Sequence, residues 1–342
     1  MSEPRRPGGI VLAVLLALLP PAACVSPVAA DGEAADDRDA GAVWDDADLE
    51  SPDDPCRGVT CSGHGFCQAS AGAPTCSCED GFEASGAACV PVTADANGCL
   101  PGSGDYAEEG PYETATMAGP AGFTVFYPAS WQPGCPHPIA AWGNGTGVVG
   151  SLVYDHLNRH VASWGIVVIA SPSPMAGTGL DHRVGIDWLL AQNEDPDSPF
   201  FERLSPRAGV AGHSQGGIGA SMAAGHPNVE AIVNVQGGGS PLGRAALLIT
   251  GDLDFMNPSI QLSWLSSTGP TFLAGLKSTD HIAVPSILGA ATPQGIQVKR
   301  VYAAWYRCFL ADDADACALF RGGDACGLCV EPDWFDLRSK NL

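Results

Sequence analysis

From about residue 120 the apolar residues of this chain fall into short, nearly continuous runs separated by longer mixed stretches. Seven runs read as strands: Phe123–Tyr127, Ile139–Trp142, Ile166–Ala170, Ala208–Gly212, Ala231–Val235, Ala246–Thr250 and Thr271–Leu276. Continuity rather than alternation is what a strand shows when both faces of its sheet are covered. Between the runs, Leu152–Ser163, His182–Gln192, Gln215–Gly225 and Pro258–Ser266 read as helices, and a last long helix spans Gln297–Leu310. Strand–helix alternation over residues 97–342 predicts an α/β domain, a mostly parallel sheet with right-handed crossovers and helices on both faces.

Upstream the pattern changes. Arg5 and Arg6 precede a ten-residue apolar run, Ile10–Leu19. Ten helical residues cover about 15 Å, half a bilayer core, so residues 1–24 read as a signal peptide and not as a membrane span. The stretch Pro20-Pro21-Ala22-Ala23-Cys24 resembles a bacterial lipoprotein cleavage site. Such a site would lipidate Cys24 and anchor the chain to a membrane. Pro21 stands where those sites carry Leu, and ordinary cleavage nearby is the alternative. Residues 25–55 hold eleven acidic residues against Arg38 alone, which predicts an extended, self-repelling linker. The whole chain carries 16 Lys and Arg against 38 Asp and Glu, a formal charge of −22. A nucleic-acid partner is excluded on that basis, because binding phosphates needs a basic face.

Thirteen cysteines are too many for a typical cytosolic enzyme and predict an exported protein, secreted or at the cell surface, rich in disulfides. Six of them, Cys56, Cys61, Cys67, Cys76, Cys78 and Cys89, lie within residues 56–90 at spacing C-x4-C-x5-C-x8-C-x-C-x10-C. So short a segment needs covalent staples. The spacing, with Gly65-Phe66 and Gly81-Phe82, resembles the EGF-like module. That resemblance implies the pairs Cys56–Cys67, Cys61–Cys76 and Cys78–Cys89. It suggests an adhesion or targeting module or a rigid spacer, with no partner named and no calcium site.

Candidate chemistry gathers at Gly212-His213-Ser214-Gln215-Gly216-Gly217, between a predicted strand and a predicted helix. This is a G-x-S-x-G turn in the context that makes its serine a nucleophile. The Gln215 backbone N–H, at a helix N-terminus, would face developing negative charge. A serine hydroxyl needs a base and the base an orienting acid. Of the histidines after Ser214, His226 sits in an early loop, while His281 follows the strand Thr271–Leu276. The strand before it runs into Asp252-Leu253-Asp254, and one of these two carboxylates should orient His281. A second oxyanion donor should come from Gly143-Asn144-Gly145-Thr146-Gly147. Asn144-Gly145-Thr146 also has the form of an N-glycosylation sequon, discounted because a glycan there would block the site. The other histidines suggest no metal cluster, and His213 reads as the variable position of the turn.

Taken with Thr124-Val125-Phe126-Tyr127-Pro128, Gly165-Ile166-Val167-Val168, Gly251 to Pro258, Thr279 to Ile282 and Ala303-Ala304-Trp305, residues 105–320 resemble the bacterial cutinase and polyester-hydrolase branch of the α/β-hydrolases. The resemblance implies Ser214, Asp254 and His281 as catalytic triad and the backbone N–H groups of Asn144 and Gln215 as oxyanion hole. It also implies a small-molecule or polymeric ester as substrate and no cofactor. Three positions depart from it: Gln215 stands for the family's Met, Asn144 for its Tyr, and Gln236-Gly237 for its Pro-Trp. These remove the aromatic and thioether walls that grip an aryl polyester, and with no obvious lid a short-chain esterase ranks above a lipase. A lipase or peptidase on the same fold, and a non-catalytic adhesion protein built on a hydrolase scaffold, are the alternatives.

Six further cysteines remain. Cys308 and Cys317 read as helical, and nine helical residues separate them by about 13 Å, beyond disulfide reach. Each is therefore expected to bond Cys326 or Cys329, leaving Cys99 with Cys135. A zinc site at Cys326-x2-Cys329 is the rival, but no second ligand pair accompanies it.

Overall fold

The structure is a computed structural model that describes residues 54–70, 72–78, 82–91, 104–132, 134–284 and 291–342. The expected signal sequence, the lipidation site at Cys24 and nearly all of the acidic linker lie outside the described residues. Among the described residues no helix is long and apolar enough to cross a membrane.

Residues 54–91 form two small antiparallel hairpins. β1 (Gly65–Ser70) pairs with β2 (Ala73–Cys78), and β3 (Phe82–Ser85) with β4 (Ala88–Pro91). Three disulfides hold them: Cys56–Cys67, Cys61–Cys76 and Cys78–Cys89, each with Cα atoms 5.6–5.7 Å apart. These are the pairs the EGF-like spacing implies. Cys61, Cys76 and Cys89 also cluster closely enough to suggest metal ligands. All three are disulfide sulfurs, so no thiolate is available there.

The larger part is an α/β layer structure. Its sheet has nine strands: β5 (Thr114–Ala118), β6 (Thr124–Pro128), β7 (His137–Gly143), β8 (Val167–Ala170), β9 (Leu204–His213), β10 (Val229–Val235), β11 (Ala245–Gly251), β12 (Thr271–Leu276) and β13 (Trp334–Lys340). Their order is β13-β12-β11-β10-β9-β7-β8-β6-β5. The central pairings from β12 to β8 are parallel, and β5, β6 and β13 join antiparallel. Seven strands coincide with the apolar runs, and β5 and β13 are additions.

The period of two along each strand divides the core. Ala140, Trp142, Val168, Val233, Leu247 and Phe272 face one layer with α1 (Asp155–Ser163) and α5 (Pro293–Leu310). Ile139, Ala141, Ile169, Val210, Ile232 and Leu248 face the other, with α2 (Leu180–Glu194), α3 (Gln215–Ala223) and α4 (Asn257–Ser266). Every residue of β7, β11 and β12 is buried, which is why their sequences show no polar alternation. α5 starts at Pro293 with Thr292 as its cap, the side-chain oxygen accepting from Gly295 N–H at 3.1 Å.

One expectation fails here. Cys308 bonds Cys317, and Cys326 bonds Cys329, with Cα separations of 4.7 and 5.0 Å. The assumed continuous helix does not exist. α5 stops at Leu310, Asp312 turns to φ 55°, and α6 (Ala314–Ala318) begins anew with Asp313 as its cap. Asp313 accepts from the N–H groups of Asp315 and Ala316 at 3.1 and 3.2 Å. That reversal brings Cys317 back beside Cys308. The short pair Cys326–Cys329 closes a turn and is no zinc ligand set. Cys135 is disulfide-bonded, and its expected partner Cys99 lies outside the described residues.

Candidate active site

β9 ends at His213 and α3 starts at Gln215, leaving Ser214 alone in the turn at φ 55°, ψ −119°. A non-glycine residue there costs about 1–3 kcal/mol, and the surrounding packing must hold it. Glycines on both sides make the packing feasible. A Cβ at Gly212 would strike the Gly216 backbone, and one at Gly216 would run into the Gly143 carbonyl. The Gly143–Gly145 loop at the end of β7 therefore lies directly against the serine turn.

The three residues expected to work together meet. His281 Nε2 lies 2.8 Å from Ser214 Oγ, and His281 Nδ1 lies 2.8 Å from Asp254 Oδ1. The Asp254 side chain is fully buried and that of His281 is 13% exposed. The acid–base contact is thus desolvated while the imidazole reaches a cavity. Asp254 Oδ1 also accepts from the Met256 N–H at 2.9 Å, and its Oδ2 is buried without a hydrogen bond among the described residues.

Asp252 does different work. It is exposed, and its Oδ1 accepts from the Thr279 N–H at 2.9 Å. Leu253 N–H donates to the Thr279 carbonyl at 3.1 Å. These bonds tie the loop after β11 to the loop carrying His281, and the Thr279 N–H holds the Asp252 carboxyl below its usual range. Of the two aspartates the sequence left open, Asp254 touches His281 and Asp252 braces its loop.

Asn144 is wholly buried. Its side-chain amide donates to the carbonyls of Gly150 and Ser171, both at 2.9 Å, and so holds the loop in place. A glycan could not be carried by this side chain in the folded protein. Gln215 lines the cavity beside Ser214.

Sequence reasoning missed His213, Tyr154 and Gln236. His213 Nε2 contacts the His281 carbonyl at 2.9 Å, and Gln236 Nε2–H donates to the Asp280 carbonyl at 2.8 Å. Tyr154 Oη accepts from the Gly145 N–H at 3.1 Å. Burial pushes the His213 imidazole down to about 4 and the Tyr154 phenol up to about 12. Nothing in the sequence flags these ties, because each joins residues distant in the chain.

The cavity over Ser214 and His281 has a volume of about 660 Å³. Val148, Val153, Ile218, Phe255, Met256 and Ile282 make its walls apolar, and among the described residues no carboxylate, lysine or arginine lines it. The Phe255 ring packs 4.3 Å from the His281 ring. Phe255 and Ile282 are 72% and 69% exposed and form an apolar rim. The arrangement can move a proton from a serine hydroxyl to an imidazole beside an uncharged, apolar ligand space. Compared with protein-family models and with curated proteins, the chain matches none.

Proposed function

We propose that this protein is an exported serine carboxylic-ester hydrolase with an α/β-hydrolase fold, cutinase-like in its catalytic part and carrying an EGF-like module. The observation that carries the reading is the hydrogen-bonded chain Ser214–His281–Asp254, with Ser214 in a strained turn at an apolar cavity. In this reading Ser214 Oγ attacks the acyl carbon while its proton passes to His281 Nε2. The imidazolium is held by Asp254 and returns the proton to the departing alkoxide, leaving an acyl-enzyme. Water, deprotonated by the same imidazole, then releases the carboxylic acid and restores Ser214. The backbone N–H groups of Asn144 and Gln215 are the proposed donors to the oxyanion.

The lining favours uncharged esters with apolar acyl groups, because an unpaired carboxylate would be desolvated there with no cation to meet it. Several disulfides fit an oxidising, extracellular setting. The test is hydrolysis of p-nitrophenyl esters from acetate to palmitate, alongside the Ser214→Ala variant. The expected result is turnover of the shorter members that the variant loses. Equal inertness of wild type and variant toward every ester would favour the non-catalytic adhesion reading.

A further inference from the structure

Three elements of the candidate site come from separate parts of the chain: the loop after β7, the serine turn after β9, and the loop after β12. One hydrogen-bond chain runs through all three. Gly145 N–H donates to Tyr154 Oη at 3.1 Å, Tyr154 Oη meets His213 Nδ1 at 3.1 Å, and His213 Nε2 meets the His281 carbonyl at 2.9 Å. A carbonyl only accepts, so Nε2 carries the proton. In a neutral imidazole Nδ1 is then the acceptor, and the Tyr154 hydroxyl donates to it. Every polar atom of the two side chains is thereby used, with one directionality from end to end.

We propose that Tyr154 and His213 act as one positioning unit, which fixes the oxyanion loop and the His281 backbone relative to Ser214 and acts on kcat far more than on KM. The inference rests on the reading of Ser214–His281–Asp254 as catalytic. Both side chains are almost fully buried, at 1% and 4% exposure, so water does not substitute for a missing partner there without cost. The Gly145 N–H belongs to the Asn144–Gly145 peptide. Holding it sets the plane of the loop that supplies the proposed Asn144 donor. At the other end the His281 carbonyl is held by His213, and the preceding Asp280 carbonyl by Gln236. The imidazole that must serve Ser214 is therefore anchored through its own backbone as well as through Asp254. Misplacement of catalytic groups by an ångström is enough to cost large rate factors. Tyr154 and His213 also line the cavity, so the KM of each variant separates positioning from direct contact with substrate.

The experiment uses the full chain and the variants Tyr154→Phe, His213→Gln, His213→Leu and the double variant Tyr154→Phe/His213→Leu. Gln at 213 can keep a side-chain N–H near the position of Nε2, and Leu cannot. With p-nitrophenyl butyrate, kcat should fall roughly tenfold in His213→Gln and roughly a hundredfold in Tyr154→Phe and His213→Leu, the ordinary scale of one and two lost hydrogen bonds, with KM within about twofold. The double variant should be no slower than His213→Leu, because the two residues form one unit. Unchanged kcat in Tyr154→Phe, a rise in KM in place of the fall in kcat, additive losses, or no advantage of Gln over Leu would each overturn the proposal. Nitrogen-15 and proton NMR of the histidines, without substrate, gives a second readout independent of turnover. The expected result is an Nε2–H tautomer for His213 and displacement of the His281 Nδ1–H signal in Tyr154→Phe. An Nδ1–H tautomer, or a His281 signal unmoved by Tyr154→Phe, refutes the chain even if Ser214→Ala shows that the esterase reading itself is wrong.

Discussion

Replacing Asp254 by Asn separates the charge of the proposed acid from its shape, and the structure dictates how. In this site the His281 Nδ1–H and the Met256 N–H converge on one oxygen, Oδ1, while Oδ2 is buried without a hydrogen bond among the described residues. The amide side chain that Asp254→Asn introduces can therefore keep its oxygen at the Oδ1 position and satisfy both donors. Its NH₂ group then occupies the buried Oδ2 position, where the carboxylate oxygen has no hydrogen-bond partner among the described residues. The imidazole keeps its tautomer but loses the negative charge opposite the imidazolium that forms in the transition state. Two unit charges about 4 Å apart interact by ~4 kcal/mol at an effective dielectric constant of 20, or about 10³ in rate. The flipped amide orients an N–H at Nδ1, gives the wrong tautomer, and costs nearer ~10⁴. Either way, Asp254→Asn should lower kcat for a p-nitrophenyl ester by about 10³–10⁴, the span between the two amide orientations. The orphaned amide should also lower the melting temperature, since an unsatisfied buried donor costs about 1–3 kcal/mol. Asp252→Asn is the control. Its Oδ1 remains available to the Thr279 N–H, the residue is exposed, and kcat should fall no more than about threefold for one weakened loop bond. Steady-state kinetics and thermal melts of both variants decide the matter. An Asp254→Asn protein retaining a tenth of the wild-type kcat, or an Asp252→Asn protein equally impaired, would remove Asp254 from the role of orienting acid.

Gly216→Ala should fold less stably and lose at least about a hundredfold in kcat, because the new methyl group displaces the Gly143 carbonyl and with it the oxyanion loop, a loss comparable to removing one donor; full activity in a folded variant would contradict the close approach. Stability should fall on acidification between about pH 6.5 and 4. Burial holds His182 and His213 down to about 4, against ~6.5 in an unfolded chain, so in that window the unfolded state binds more protons and stability rises with pH. The loss is about 2 kcal/mol per histidine at pH 5, and His182→Gln, which retains a donor for the Ala211 carbonyl, should flatten the melting curve against pH; an unchanged slope would count against a buried neutral His182.

The seven apolar runs were legible because strands buried on both faces tolerate no polar interruption. β5 (Thr-Ala-Thr-Met-Ala) and β13 (Trp-Phe-Asp-Leu-Arg-Ser-Lys) were not, because edge strands are only partly covered and carry polar residues: β5 has no buried residue and β13 only Trp334. The pairing of Cys308 with Cys317 was misjudged by extending a helical period through Ala311, Asp312 and Asp313. Asp313 is a good helix cap, and Asp312-Asp313 ahead of Ala314 is a signal that a second helix starts there. At the site, Ser214 and His281 could be found from their places after strands, since that chemistry demands a fixed chain order. The choice between Asp252 and Asp254 needed the third dimension, as two residues of equal type lie two positions apart. His213 stands in the G-x-S-x-G turn only as its variable position, and nothing local assigns a role to Tyr154 or Gln236. Their roles are hydrogen bonds to backbone groups 68, 9 and 44 residues away, which no periodicity reports.

If Ser214 is a nucleophile activated by His281, a serine-reactive inhibitor reports both residues at once. The folded protein is titrated with a serine-reactive fluorophosphonate while ester hydrolysis is followed, and the adduct is located by mass spectrometry. The expected result is one adduct per chain, on Ser214, with activity falling in proportion to labelling, no adduct in Ser214→Ala and a reduced rate of labelling in His281→Ala. Labelling of another serine, or ester hydrolysis that persists when Ser214 is fully modified, would contradict that nucleophilic role.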